Sequence, residues 1–438
     1  MRKEHVMHCY PKHWQETTIG GLCEGIFDGP HATPRKTEHG PIFLGISCLA
    51  NGRLNLTGAA HLSDRDFVKW TKRVTPREGD VVFSYETRIG EAAIIPKGLR
   101  CCLGRRMGLL RPNKNSVDPR FLLYAWLSPA FQEAIKSRTV HGSTVDRILL
   151  TELSSYPVIV PPLDEQRAIA HILGTLDDKI ELNRRMNEAL EGMARAIFKS
   201  WFVDFDPVHA KAEGRPTGLP PDINALFPDS FQDSELGEIP KMYSEGSLGD
   251  LILQRTERVG PREVSVLSAV ATGKLARSDE HFTKRVYSKE TAKYLLVEQW
   301  DFAYNPSRIN IGSIGMLEEE IQGGVSPVYV VARPKPVYRW FLEFYLRLPK
   351  TKVWINTLAS GSVRQSLSYA DFASIPCVVP PEEILEVFNR KWIMLREGIQ
   401  SREEESVPLV ALRDTLLSKL ISGELCVPDA ERIVERSI

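Results

Sequence analysis

Cysteine is scarce: seven in 438 residues, scattered, with no Cys-x-x-Cys pair and no Cys/His spacing of a zinc site. An odd, unpatterned set argues against a disulfide framework and for free buried thiols in a reducing compartment. No stretch approaches 18 apolar residues, which argues against a membrane-spanning helix. The opening residues Met1–Trp14 have no apolar core of a signal peptide, so the expected location is cytoplasmic. Net charge is also missing, since Lys+Arg and Asp+Glu are both 56. Any electrostatic footprint for a polyanion must therefore be local. His5, His8, Cys9 and His13 crowd the start, but a frayed tail is the simpler reading than a metal site.

Enzyme signatures are absent as well. Gly273-Lys274 is followed by Leu275 without a glycine lead-in, so there is no phosphate-binding loop, and neither Gly-x-Ser-x-Gly nor His-Glu-x-x-His occurs. Tyr304–Asn310 lacks the second proline and the aromatic residue of an amino-methyltransferase motif. Asp204 and Asp206 form a close acidic pair without the lysine partner of a nuclease. No catalytic residue, metal or cofactor is expected on this chain.

What the chain does contain is itself, twice. Tyr156–Ile180 returns as Ile375–Ile399, an offset of 219 residues that holds from Pro161/Pro380 to Trp201/Leu420. An earlier match, Pro11–Leu22 with Pro240–Leu251, runs at an offset of 229. Between these ends Glu78–Ile95 echoes Glu298–Leu317, with Asp80 and Asp301 placed alike, and Phe83 and Tyr304. A repeat of this size is a duplicated domain, far longer than a solenoid unit. A shared frame with divergent interiors suits two modules that read different things.

Short β-branched or apolar runs bounded by Gly and Pro (Val81–Phe83, Ala92–Ile95, Pro157–Val160, Val328–Val331) predict strands. Pro119–Arg138 and Tyr338–Leu358 have helical spacing at matching places. Pro162 opens a longer helix predicted over Leu163–Phe202. Its seam, Ile169, Leu173, Leu176, Ile180, Asn183, Asn187, Leu190, Ala194, Ile197 and Trp201, alternates steps of four and three. The second copy keeps register from Phe388 to Leu420. Both seams are polar near the middle, and antiparallel packing would bring Asn183 to Ser406 and Asn187 to Arg402. Pro408 predicts a kink or restart, with Ser406 as a possible N-cap.

The expected fold class is α+β: two mixed α/β domains separated by two long antiparallel, coiled-coil-like helices with a pseudo-twofold. The divisions are a first recognition domain at 1–160, a helix at 161–205, a linker at 206–239, a second domain at 240–379, a second helix at 380–425 and a tail at 426–438.

Candidate contacts follow from local basic and hydrogen-bonding clusters. Lys97, Arg100, Arg105, Arg106, Arg111 and Lys114 form a run without an acid. Arg255, Arg258, Arg262, Lys274, Arg277, Lys284, Arg285, Lys289 and Lys293 form a more mixed one. Such residues neutralise phosphates, although a solvated charged face gives the same pattern. Two Gly-Ser turns occupy equivalent places, one with His141, Ser143, Thr144 and Arg147, the other with Ser362, Arg364 and Gln365. A Gly/Pro-stiffened loop adds His31, Thr33, Arg35 and Lys36. The echoing interiors add Tyr85 and Arg88 in the first copy and Asn305, Arg308 and Asn310 in the second. Arg, Asn, Gln, Ser and Thr are the side chains that read base edges.

The Pro-Pro-Leu-Asp-Glu-Gln opening at Pro161, Leu236–Pro240 before the second half and Leu416–Leu425 closing the second helix together resemble the specificity subunit of type I restriction–modification systems. The resemblance covers essentially the whole chain. It implies two target-recognition domains, each reading half of a bipartite double-stranded DNA sequence. It implies two long helices that dock two methyltransferase subunits, with restriction subunits joining the complex. It places S-adenosylmethionine, ATP and magnesium in those partners. The second opening departs from the pattern, reading Pro-Pro-Glu-Glu-Ile at Pro380, which makes the two docking surfaces unequal. The competing readings are a helical adaptor that binds no DNA and a methyltransferase or nuclease with a cryptic site.

Overall fold

The computed structural model describes residues 10–141, 145–270, 273–281, 290–359 and 366–437. The chain forms two compact units: Met1–Arg185 together with Arg402–Ile438, and Met186–Ser401. Two forty-residue helices, Leu163–Phe202 and Glu382–Ile421, each contribute to both.

In the first unit a four-stranded antiparallel sheet runs in the order Cys23–Asp28, Met107–Pro112, Val81–Ser84, Ala92–Ile94. Val81–Ser84 is buried along its whole length, as expected of a strand covered on both faces. A three-stranded sheet sets Thr37–Leu44 between Ala60–His61 and Cys101–Leu103. Gln15–Thr18 pairs antiparallel with Pro157–Val160, so the beginning of the domain is clamped to the strand that feeds the long helix. The predicted helical stretch after residue 119 is two helices, Pro119–Leu127 and Pro129–Ser137. Asp118 and Ser128 cap them, and each begins with a proline that forfeits only an unpaired N–H.

The second unit repeats this plan. Ile252–Arg255, Val330–Pro334, Phe302–Tyr304 and Ile314–Met316 form an antiparallel sheet in the same strand order, and Ser244–Ser247 pairs with Pro376–Val379. Its helical pair is Arg339–Tyr345 and Pro349–Leu358. The core differs in kind, because Phe198, Phe202, Phe341, Phe344, Phe388 and Trp392 build an aromatic cluster.

The same pairing of a buried aspartate with an arginine anchors both central sheets. Asp80, 3% exposed, accepts from the Arg111 guanidinium at 2.8 and 3.0 Å and from the Arg77 amide. Asp301, fully buried, accepts from Arg333 at 2.7 and 3.1 Å and from the Glu298 amide. Arg111 therefore leaves the basic run to which its neighbours assign it. Its charge is spent inside the domain, and removing one partner of such a pair costs about 3–5 kcal/mol.

The long helices pack antiparallel within each unit. In the first, Asp177 meets Arg413 at 3.0 Å and Lys179 meets Glu405 at 2.9 Å. Asn183, 2% exposed, donates to Ser406 at 3.2 Å and to Glu405 at 2.8 Å, the polar layer expected from the seam. In the second, the Asn187 amide donates to the Ile399 carbonyl. Pro408 neither breaks nor restarts the helix, which is continuous through it, and Ser406 is no cap, since its hydroxyl donates to the Arg402 carbonyl one turn back. Pro408 is exposed, so its ring meets solvent while the seam holds the turn.

The Pro-Pro-Leu-Asp-Glu-Gln opening is a fastening. Glu165 accepts from the Trp14 indole at 3.3 Å and pairs with His13 at 2.9 Å. Gln166, 1% exposed, accepts from the Asp118 amide and donates to the Pro161 and Ser116 carbonyls. Leu385 stands at the Gln166 position of the second copy and is fully buried, so apolar packing replaces the hydrogen bonds there. Arg53 and Tyr124 add contacts to Asp177 at 2.7 and 2.8 Å, and burial together with that carboxylate pushes the Tyr124 phenol up.

The stretch between the copies is ordered. Helix Asp206–Ala212 buries Val208 and Ala210, and Phe227 is buried where helix Pro221–Leu226 ends. The polar residues after Gly423 form a helix, Val427–Glu435, whose Ala430 and Val434 join the first unit's core. Gly423 makes the turn (φ +71°), and a Cβ there would stand 2.3 Å from Pro11 Cδ. Among the described residues no helix is long and apolar enough to cross a membrane.

Candidate nucleic-acid interface

In each unit the loop after the central strand is tied to the residues that follow the Gly-Ser pair in sequence. The Ile148 amide donates to the Tyr85 carbonyl at 2.9 Å, and the Leu367 amide donates to the Pro306 carbonyl at 3.1 Å. These are equivalent bonds in the two copies.

In the first unit three loops converge. Arg147 pairs with Val140 through both backbone hydrogen bonds and bridges to Glu86. The Tyr85 amide donates to the Arg106 carbonyl. Thr87 (φ +67°) and Arg106 (φ +71°) both adopt the left-handed conformation, which costs about 1–3 kcal/mol per residue outside glycine and gathers at functional sites. They face each other: Arg106 donates to the Thr87 hydroxyl at 3.1 Å and pairs with Glu86 at 2.8 Å. Beside them a cleft of about 580 Å³ is lined by Thr87, Arg88, Ile89, Glu91, Val145 and Asp146.

The side chains differ in their freedom to meet a ligand. Tyr85 is 5% exposed, and burial, with smaller contributions from Asp28 and Glu86, raises its phenol; it is a scaffold residue rather than the contact expected from the sequence. Arg88 is engaged by Glu91 at 3.2 Å and His141 by Asp146 at 3.1 Å. Arg105 and Arg147 are exposed and have no side-chain partner among the described residues. Ser143 and Thr144 lie outside the described residues.

His31, Thr33, Arg35 and Lys36 occupy the exposed loop between Cys23–Asp28 and Thr37–Leu44. His31 approaches Asp28 at 3.3 Å. Arg35 and Lys36 line a cleft of about 770 Å³ with His39, Ser63, Arg65, Asp66 and Lys69. Arg65 and Lys69 carry no signal in the sequence, because only the fold brings their helix, Asp64–Trp70, to this loop.

In the second unit Asn305 caps its own loop, accepting from the Ser307 amide at 3.0 Å. Arg308 and Asn310 are exposed on the same loop, and Arg308 has no side-chain partner among the described residues. Ser362, Arg364 and Gln365 lie outside the described residues, as do Lys284, Arg285 and Lys289. Much of the mixed basic patch is internally neutralised: Arg255 by Glu298 at 3.1 Å, Arg262 by Glu257 at 2.8 Å, Lys274 by Glu318 and Arg277 by Glu319. In the first patch Arg100 is likewise spent on Asp64. Among the described residues no group of three or more His, Cys, Asp or Glu side chains could hold a metal ion.

The fold and its exposed Arg/Asn loops define a protein of duplicated sheet domains and paired long helices. Residues 11–192 match the family described as the type I restriction modification DNA specificity domain. The chain is 27% identical over 404 residues to the type I restriction enzyme HindI specificity subunit of Haemophilus influenzae, covering 80% of this chain and 87% of that protein. It is 23% identical over 442 residues to the putative type I restriction enzyme MjaX specificity subunit of Methanocaldococcus jannaschii, covering 95% of each. The crystal structure of a type I restriction–modification S subunit from M. genitalium shares the fold, with a TM-score of 0.53 at 16% identity over 93% of this chain and 96% of that one. Over most of its length the chain is thus similar to type I restriction enzyme specificity subunits.

Proposed function

We propose that each unit reads one half of a bipartite double-stranded DNA target and that the two long helices dock two methyltransferase subunits, with restriction subunits joining the same complex. On this reading the chain is not itself an enzyme. Adenine methylation and ATP-driven cleavage, with S-adenosylmethionine, ATP and magnesium, belong to the partners, and the complex works in the cytoplasm. The observation that carries the reading is the repeated tie between the post-strand loop and the Gly-Ser segment, Ile148 to Tyr85 and Leu367 to Pro306. It presents loops of different sequence from an identical sheet order. A common frame with unlike loops fits two half-sites of unlike sequence. Exposed Arg105 and Arg147 in one unit and Arg308 in the other supply donors for phosphates or guanine edges.

A forty-residue helix is about 60 Å long, more than one DNA turn of about 34 Å. Deleting one heptad between residues 169 and 197 and the matching heptad of the second helix preserves the seam and shortens each helix by about 10 Å. The gap in the methylated sequence, mapped by methylome sequencing, is expected to shrink by about three base pairs. An unchanged gap would show that the length of the helices does not set the distance between the half-sites.

A further inference from the structure

The loops after the two central strands share a pattern and then part. The first reads Thr87-Arg88-Ile89-Gly90 and the second Ser307-Arg308-Ile309-Asn310-Ile311-Gly312. Ile89 and Ile309 both turn inward, Ile309 to 3% exposure, and both glycines hold positive φ, +86° and +91°. Counted from the equivalent Tyr85 and Pro306 the second loop is one residue longer, and it places Asn310 and Ile311 between the isoleucine anchor and the glycine, where the first loop has none. They sit on a short 3-10 turn, Ile309–Ile311.

Ile311 is 73% exposed, more than any other large apolar side chain among the described residues. One exposed isoleucine is ordinary on a protein surface; its position singles this one out. It projects from the loop held to the Gly-Ser segment by the Leu367 amide, three residues after exposed Arg308, which has no side-chain partner among the described residues. An apolar tip among hydrogen-bonding side chains matches one feature of the major groove, where thymine alone presents a methyl group beside donors and acceptors.

We propose that Ile311 reads the 5-methyl group of a thymine in the half-site taken by the second unit. The proposal rests on the reading of each unit as a half-site reader. The first unit has no residue equivalent to Ile311, so the methyl contact is confined to one half of the target.

The test uses the full chain assembled with its methyltransferase subunits and a duplex of the sequence that this complex methylates. Each thymine is replaced singly by deoxyuridine, which removes only the methyl group. Wild type is expected to bind about four-fold more weakly at one thymine of one half-site, the factor for burying a single methyl-sized group. Ile311→Ala should bind the thymine and uracil duplexes alike at that position, while Ile311→Val should keep most of the difference. Thermal melting of the variants confirms folding. Indifference of wild type to every single replacement, or an undiminished thymine preference in Ile311→Ala, overturns the proposal. A complex that methylates no defined sequence overturns the half-site reading itself, a distinct outcome.

Discussion

Glu343 is a carboxyl group in an aromatic wall, 8% exposed, with one oxygen accepting from Arg347 at 2.9 Å. Burial pushes its pKa up, against the pull of Arg347. An acid whose folded pKa lies above its unfolded value favours folding when protonated and opposes it when ionised. Stability of the second unit should therefore fall as pH rises above the ordinary glutamate range. Glu343→Gln, neutral at every pH, is expected to be more stable than wild type at pH 7, the difference closing below about pH 4. Denaturant unfolding across that range checks it, and a variant less stable at pH 7 would show that the Arg347 pair outweighs desolvation. Asp301, more deeply buried, is served by Arg333 and a backbone amide, so Asp301→Asn should destabilise.

At the scale of elements, the long helices carry one local conflict. Pro408 lies inside the second helix, supplies no N–H and is exposed. Pro408→Ala should restore a helical hydrogen bond without a packing loss and stabilise the protein by about 1–3 kcal/mol, read as a raised thermal midpoint. The helices were the most legible part of the sequence, since a four-three seam fixes both period and face, down to the meeting of Asn183 and Ser406. Pro408 reads as a break because helix propensity carries no information about the packing that holds the turn. Strands such as Val81–Ser84 were visible as apolar runs, but their partners were not. Arg111 looked like a surface cation because Asp80 is 31 residues away in sequence and adjacent only in the sheet. Tyr85 reads as a contact because its burial comes from the packed domain and not from its neighbours in sequence. The strained Thr87–Arg106 pair left no trace, since positive φ at non-glycine residues has no sequence signature.

At the scale of the molecule, the first unit is built from both ends of the chain and the second from its middle. The helix Val427–Glu435 contributes Ala430 and Val434 to the first unit's core. Removing residues 427–438 should cost that unit about 2–4 kcal/mol. Hydrogen exchange should quicken in Val81–Ser84 and Met107–Pro112, while Phe302–Tyr304 and Val330–Pro334 stay protected. Equal loss in both units would mean that they unfold as one.

The same layout dictates an order of events on the ribosome. Residues 402–437 emerge only after the entire second unit has been synthesised, yet Leu409, Leu416 and Leu420 are part of the first unit's core. The domain translated first is thus the last that can be completed, and the helix Leu163–Phe202 must wait with its apolar seam open at Leu173 and Leu176. During that interval the nascent chain offers a half-finished coiled coil to any matching helix, including that of a neighbouring chain on the same message.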